Sequence, residues 1–292
     1  VAEKTGYSAK DITESAFQTV FESSFGESIS QRLLIQYRSL PPIGRLVSNS
    51  FYEQSLTPGR LISDVADSDY PSALNSPLTW VYTDEMREEA HQKPDYKKGS
   101  KSLTNRIECE LIAGMLMDWD RCPNFIDWLE RKTEREPAIG IICSYGAQAT
   151  AIRHKLQLAR LSDTMRGAIK VGTVDSYQGK ENRIIILSLV RNNFDGKRID
   201  GKPTIKPGFM SRPNRINVAA SRAMDRLVIV GAKSAWAPGG PMATLKENFD
   251  LEVEAGHGVF IEARQLLDEQ RAALSTPLTA KRAKISSNKE VS

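Results

Sequence analysis

Apolar runs and amphipathic stretches alternate along the second half of the chain in an order that predicts a layered fold. Four runs read as strands, Ala138 to Cys143, Ile169 to Val174, Arg183 to Leu189 and Arg226 to Val230. Two stretches with helical spacing lie among them, Ala147 to Leu158 and Pro213 to Arg222. Strands made almost wholly of Ile, Val and Leu are buried on both faces, as in a parallel sheet covered by helices, so the expected class is α/β.

The first half is less regular. Residues 1–30 are polar, with Phe17, Val20, Phe21 and Phe25 at helical spacing, and predict a connector helix. Arg32 to Gln36 reads as a short buried strand. Pro41-Pro42 then opens a helix, since proline is tolerated in a first turn, and Ile43, Leu46, Val47 and Phe51 form its buried stripe. From Ser55 to Lys101 the chain is rich in Pro, Ser, Asp and Lys and predicts a long irregular excursion with one strand, Leu78 to Tyr82, inside it. Asn105 to Trp119 predicts an amphipathic helix. Residues 31–265 are thus expected to be the main domain and residues 275–292, which lack periodicity, a disordered tail.

Composition narrows the class. With 292 residues, 40% of them hydrophobic, the chain can bury one large core. The opening valine and the missing signal-peptide pattern suggest a fragment, and the cysteine usage an intracellular protein, cytoplasmic or nuclear. No apolar run approaches the roughly 20 residues of a membrane span. Cys109, Cys122 and Cys143 match neither a disulfide framework nor a metal knuckle, and three scattered histidines suggest no metal site. Net charge is only +4, yet Lys170 to Arg226 holds 12 Lys/Arg against 5 Asp/Glu. A polyanion would be drawn there, although a solvated basic face explains the charge equally well.

Four segments bear on chemistry. Gly196 to Pro203 imitates a phosphate-binding loop, but proline replaces the magnesium-binding hydroxyl, so an exposed turn is the better reading. Leu78 to Glu85 imitates a strand ending in a magnesium-holding acidic pair, and without an upstream phosphate loop it reads as an exposed strand end. Val171 to Arg191 (VGTVDSYQGKENRIIILSLVR) gathers hydroxyls, an amide and a carboxylate after a strand's carboxyl end, where open α/β sheets bind ligands. In Arg212 to Gly231 (RPNRINVAASRAMDRLVIVG), Arg222 closes a helix, where a cation also simply suits the helix dipole.

Together these segments resemble the motor domains of superfamily 1 helicases, most closely the up-frameshift type. Gln36 to Tyr52 (QYRSLPPIGRLVSNSFY) looks like the family's QYRMHP segment and Ser102 to Ile112 (SLTNRIECELI) like its SxxNxxEA segment. IGIICSYGAQ looks like the fourth motif, VGTVDSYQGKE like the fifth and RINVAASRA like the sixth. The first three motifs, with the phosphate loop, are missing. The resemblance implies the second RecA-like motor domain, a P-loop NTPase fold without its P-loop. It further implies ATP with Mg, the magnesium ligands lying on the absent first domain, and partners in that domain and in single-stranded nucleic acid, with no membrane.

By resemblance, Tyr37 would stack on adenine, Arg38 and Arg222 would contact the γ-phosphate as the catalytic pair, and Glu181 would hold the ribose. Gln178 and Gly179 would shape the nucleotide edge, and Thr173 and Ser176, with Ser144 and Tyr145 of the fourth motif, would meet the nucleic-acid backbone. The chain departs from the pattern at Cys143-Ser144-Tyr145, where T-P-Y is usual, and at Ser39-Leu40-Pro41. The alternative function is a degenerate helicase-like module that binds nucleic acid or a protein without hydrolysis. A free-standing nucleotide-binding enzyme is disfavoured by the missing phosphate loop.

Overall fold

The structure is a computed structural model. It describes residue 23 and residues 33–65, 70–71, 74–95, 100–132, 134–177 and 179–275. The connector helix expected over residues 1–30, Arg32, Gln178 and the tail from residue 276 onward lie outside the described residues. A compact unit begins at Gln36.

Its centre is a six-stranded sheet of β1 (Leu78–Tyr82), β2 (Ile139–Cys143), β3 (Ile169–Thr173), β4 (Asn182–Ser188), β5 (Ala223–Gly231) and β6 (Gly258–Glu262), in the order β6-β1-β5-β4-β2-β3. Every adjacent pair is parallel. Within β4, Ile184 and Ile186 enter the core on one face while Ile185 and Leu187 enter that on the other. This is why the run carries no polar alternation: both faces are covered.

One face is covered by α1 (Pro41–Phe51), α6 (Pro213–Ala220) and α7 (Pro241–Glu254), through Ile43, Leu46, Ile216, Leu245 and Phe249. The other is covered by α2 (Arg106–Trp119), α3 (Pro123–Arg131), α4 (Gly146–Leu158), α5 (Asp163–Gly167) and α8 (Ala263–Ser275), through Ile112, Phe125, Ile152, Met165 and Leu267. Proline in the first turn starts α1, α3, α6 and α7. The Asn105 side chain caps α2 by accepting the Glu108 amide.

Three expectations are corrected. Leu33, Leu34 and Ile35 are exposed, not a buried strand, and only Ile35–Gln36 extends, too short a run to present a buried face. Leu78–Tyr82 is no lone strand in an irregular excursion: it is an interior strand of the main sheet, with Trp80 and Val81 fully buried. The polar flanks hid this, since a non-local pairing leaves no local pattern. Nor is Asp84-Glu85 a bare strand end, because Asp84 accepts the amides of Lys233 and Ser234 at 2.8 and 2.7 Å and ties β1 to the loop after β5. Gly196 to Pro203 is the turn expected, with reciprocal backbone bonds between Ile199 and Lys202.

Candidate functional site

The segment from Gln36 to Leu40 is fastened to the start of β5. The Ser39 hydroxyl donates to the Ala223 carbonyl at 2.6 Å and the Leu40 amide to the Met224 carbonyl at 2.8 Å. Arg38 is thereby held beside the amino ends of β4 and β5, where its Nε donates to Glu181 at 2.5 Å and its Nη1 to the Ser221 carbonyl at 3.3 Å. Arg222, just past α6, donates to the carbonyls of Val218 at 3.0 Å and Lys180 at 3.2 Å. Partial burial, and after it the neighbouring charge of Arg38, lower the Arg222 pKa, while Glu181 opposes the shift. Two guanidinium groups and one carboxylate therefore share a single cluster. Tyr37 stands next to it with 69% of its surface exposed.

This cluster corrects the expected placement. Open α/β sheets place ligands at the carboxyl ends of strands, but Glu181 and Arg222 precede the amino ends of β4 and β5. Only Thr173 and Ser176 lie at the carboxyl end of β3. The chain between β3 and β4 leads from one edge to the other, and within it Tyr177 lies on the sheet, its hydroxyl donating to the Lys170 carbonyl at 2.9 Å. Two glycines in the strands make room for it: a Cβ on Gly172 would lie 2.8 Å from the Tyr177 ring and one on Gly140 2.9 Å from its hydroxyl. Gly179, at φ +80°, turns the segment toward Glu181.

At the carboxyl edge an open groove of about 780 Å³ is lined by Ser102, Thr104, Thr150, Arg153, Thr173 and Ser176 among others. The Ser176 hydroxyl accepts the Thr173 amide at 2.9 Å and donates to the Thr173 carbonyl at 2.8 Å, so the turn is closed by its own side chain. Ser144 does not face this groove. It is 3% exposed and its hydroxyl donates to the Ser188 carbonyl at 3.3 Å, because the residue lies where β2 ends against β4. Tyr145, half-buried, accepts the Arg191 guanidinium at 2.9 Å and packs near Phe209, beside the groove.

Two arrangements went unread in the sequence. The first braces the amino edge. Arg60, from the stretch expected to be irregular, donates to the Arg38 carbonyl at 2.8 Å and pairs with Asp225 at 2.9 Å. Asp225 is 1% exposed and also receives Tyr70 and Arg183. The second is a buried polar network at the carboxyl edge. Glu108, fully buried, accepts the Ser188 hydroxyl at 2.6 Å and the Val190 amide at 2.9 Å, while Gln148 joins Ser188 to Asn105. Burial pushes the Glu108 carboxyl up to about 8 against the pull of the Ser188 and Val190 hydrogen bonds. Val190 sits at φ +72°, a conformation that costs a β-branched residue on the order of 1–3 kcal/mol, and Glu108 holds it there. Asn105 and Glu108 fall within the segment that resembles SxxNxxEA, Ser102 to Ile112, whose role is not legible from sequence.

Among the described residues no group of acidic, histidine or cysteine side chains could hold a metal ion. Burial pushes the Cys109 thiol up to about 12 and Cys143 well above the usual range, which removes both as nucleophiles. No described helix is long and apolar enough to cross a membrane. The chemistry on offer is anion recognition by Arg38 and Arg222 at one edge and a hydroxyl-lined groove at the other.

Comparison with known proteins agrees with the architecture. A family model described as an AAA domain matches residues 12–234. The ATP-dependent helicase NAM7 of Saccharomyces cerevisiae is 32% identical over 219 residues, 73% of this chain and 20% of that protein. The regulator of nonsense transcripts 1 of Dictyostelium discoideum is 30% identical over 205 residues, 69% of this chain and 13% of that protein. The DNA polymerase alpha-associated DNA helicase A of Schizosaccharomyces pombe is 27% identical over 227 residues, 74% of this chain and 30% of that protein. The chain thus spans a third or less of the length of these relatives. With a parallel RecA-like sheet and a model match over most of its length, the chain belongs to the AAA domain family and is a helicase domain of the up-frameshift-like type.

Proposed function

We propose that this domain completes the ATP site of a helicase and grips single-stranded nucleic acid on its opposite edge. The observation that carries the reading is the convergence of Arg38, Glu181 and Arg222, from three separate segments, at one edge of the sheet. Two neighbouring guanidinium groups gain from an anion placed between them, and a phosphate chain is such an anion. Arg38 and Arg222 contact the γ-phosphate, Tyr37 offers a ring to the base, Glu181 accepts hydrogen bonds from the ribose, and Gln178 and Gly179 shape the nucleotide edge. Magnesium and the remaining phosphate contacts come from another domain, because this chain has no phosphate-binding loop. The groove at Thr173 and Ser176 takes the nucleic-acid backbone, and the segment that carries Tyr177 joins it to the nucleotide edge.

Binding of a labelled single-stranded oligonucleotide to the chain, followed by fluorescence anisotropy across a salt series, tests the groove. The logarithm of affinity is expected to fall with the logarithm of salt by about 0.7 per phosphate contact, with little dependence on sequence. Thr173→Val, which keeps shape and removes the hydroxyl, weakens binding modestly with the fold intact. Salt-independent binding would remove the groove and leave the domain as a protein-binding module.

A further inference from the structure

Between β4 and α6 the chain forms a hairpin that the nucleotide edge does not use. Its tip is a two-residue turn, Asp200 at φ +48° and Gly201 at φ +74°, closed by reciprocal backbone bonds of 3.0 and 2.9 Å between Ile199 and Lys202. Positive φ at both central residues suits Asp-Gly and matches the twist of the flanking legs. The legs are pinned. Gly196 donates to the Thr204 carbonyl at 2.8 Å, and Ile205, 1% exposed, donates to the Ala235 carbonyl at 2.8 Å. The hairpin is therefore preformed, so a ligand that binds it pays little to order it.

Its charges are one-sided. Asp195 is exposed but engaged, accepting Arg191 at 2.9 Å and the Lys206 amide at 3.1 Å, and Asp200 occupies the turn. Lys197, Lys202 and Lys206 are exposed, and none has a carboxylate within ion-pair distance among the described residues. At the base Phe194 is 50% exposed. The hairpin is also continuous with the groove: Arg191 at its foot bonds the Tyr145 hydroxyl at 2.9 Å, and the next residue, Gly146, lines the groove wall.

We infer that this hairpin is a second contact for a single nucleic-acid strand leaving the groove, with Lys197, Lys202 and Lys206 on its phosphates and Phe194 stacking on a base. The inference rests on the proposed nucleic-acid groove. Exposed lysines without partners release counterions when they meet phosphates, and an exposed aromatic ring beside them accepts any base. An acidic protein surface would use the lysines but would have no need of the ring.

The test uses the whole chain with two labelled oligonucleotides, one only long enough to fill the groove and one longer. For the longer strand, the variant with Lys197→Ala, Lys202→Ala and Lys206→Ala lowers the salt slope by about 2, at roughly 0.7 for each contact. Phe194→Ala weakens the same strand by about 5- to 150-fold, as expected for one stacked base. Both variants bind the short strand as the parent does. A control lacking three cations of the helices beside β6 at the far edge, Lys246, Arg264 and Arg271, corrects for net charge and is expected to behave as the parent. If the hairpin variants bind the longer strand like the parent while Thr173→Val is weakened, the hairpin inference fails and the groove stands. If Thr173→Val also binds like the parent, the groove fails with it. Equal losses on both strands, or in the control, reduce the lysines to general electrostatics and overturn the inference.

Discussion

Arg38 and Glu181, 143 residues apart in sequence, meet at 2.5 Å beside the amino ends of β4 and β5. Their side chains are 37% and 47% exposed, so the pair adds little to stability, on the order of 0.2–1 kcal/mol. Glu181→Ala is therefore expected to leave the thermal midpoint nearly unchanged. If the carboxylate serves the ribose, the variant weakens a fluorescent ATP analogue and leaves inorganic triphosphate unaffected. Tighter triphosphate binding with unchanged ATP binding would instead make Glu181 a simple counter-charge to Arg38.

Arg222→Ala and Arg38→Ala are predicted to lower nucleic-acid-stimulated ATP hydrolysis by about 10³ or more in a full-length protein that carries this domain with a phosphate loop. Arg222→Lys restores little, because an ammonium lacks the planar fork. Steady-state phosphate release gives the answer directly, and full activity in either variant would take that residue out of the γ-phosphate site. The 292-residue chain by itself is expected to release no phosphate.

Glu108 makes stability depend on pH in a stated direction. Its carboxyl titrates near 8 in the folded chain against an ordinary 4.5, so the folded state holds the proton more tightly than the unfolded state. Its contribution is complete below about pH 4.5 and is lost as pH rises through about 8. Glu108→Gln keeps a neutral group of the same size and flattens this part of the profile. Urea denaturation of parent and variant at pH 5, 7 and 9, values chosen to span about 4.5 to 8, provides the comparison. Parallel profiles would mean that Glu108 is charged in the fold.

Gly140 lies under the crossing segment, where an added Cβ would meet the side chains of Asn182, Ile185 and Tyr177. Gly140→Ala overpacks this contact and is predicted to destabilise the fold by about 1–3 kcal/mol. Because the segment carries Thr173 and Ser176 at one end and Glu181 at the other, the variant also weakens oligonucleotide and nucleotide binding together. Thermal denaturation and both binding assays decide it. A destabilised variant with both affinities intact would show the crossing to be structural alone.

Much of the fold could be read locally. The buried-strand runs, the proline-opened helices and the helix from Arg106 to Trp119 appear within a residue or a few of their expected bounds, because each is set by its own composition. The strand at Leu78–Tyr82 was visible as a strand but not as an interior one, since pairing with β5 and β6 involves residues about 150 and 180 positions away. The roles of Arg60 and Asp225 were not legible for the same reason. A lone arginine in a polar stretch resembles any solvated cation until its buried partner is known.

The sequence by itself determined the kinds of element, their order and the residue types gathered in the fifth and sixth motif segments, because periodicity and turn chemistry are local properties. Only the tertiary structure decided which edge each residue occupies. Parallel pairing of β4 between β5 and β2 sends the chain from the end of β3 back across the sheet to the start of β4, and this separates Thr173 and Ser176 from Glu181, eight and five residues away along the chain. The same pairing turns Ser144 inward against Ser188, where its hydroxyl is satisfied by a carbonyl and is lost to the groove. Neighbours in sequence thus face opposite edges while Arg38, Glu181 and Arg222 share one, since the sheet's strand order, a non-local property, sets which chain ends lie side by side.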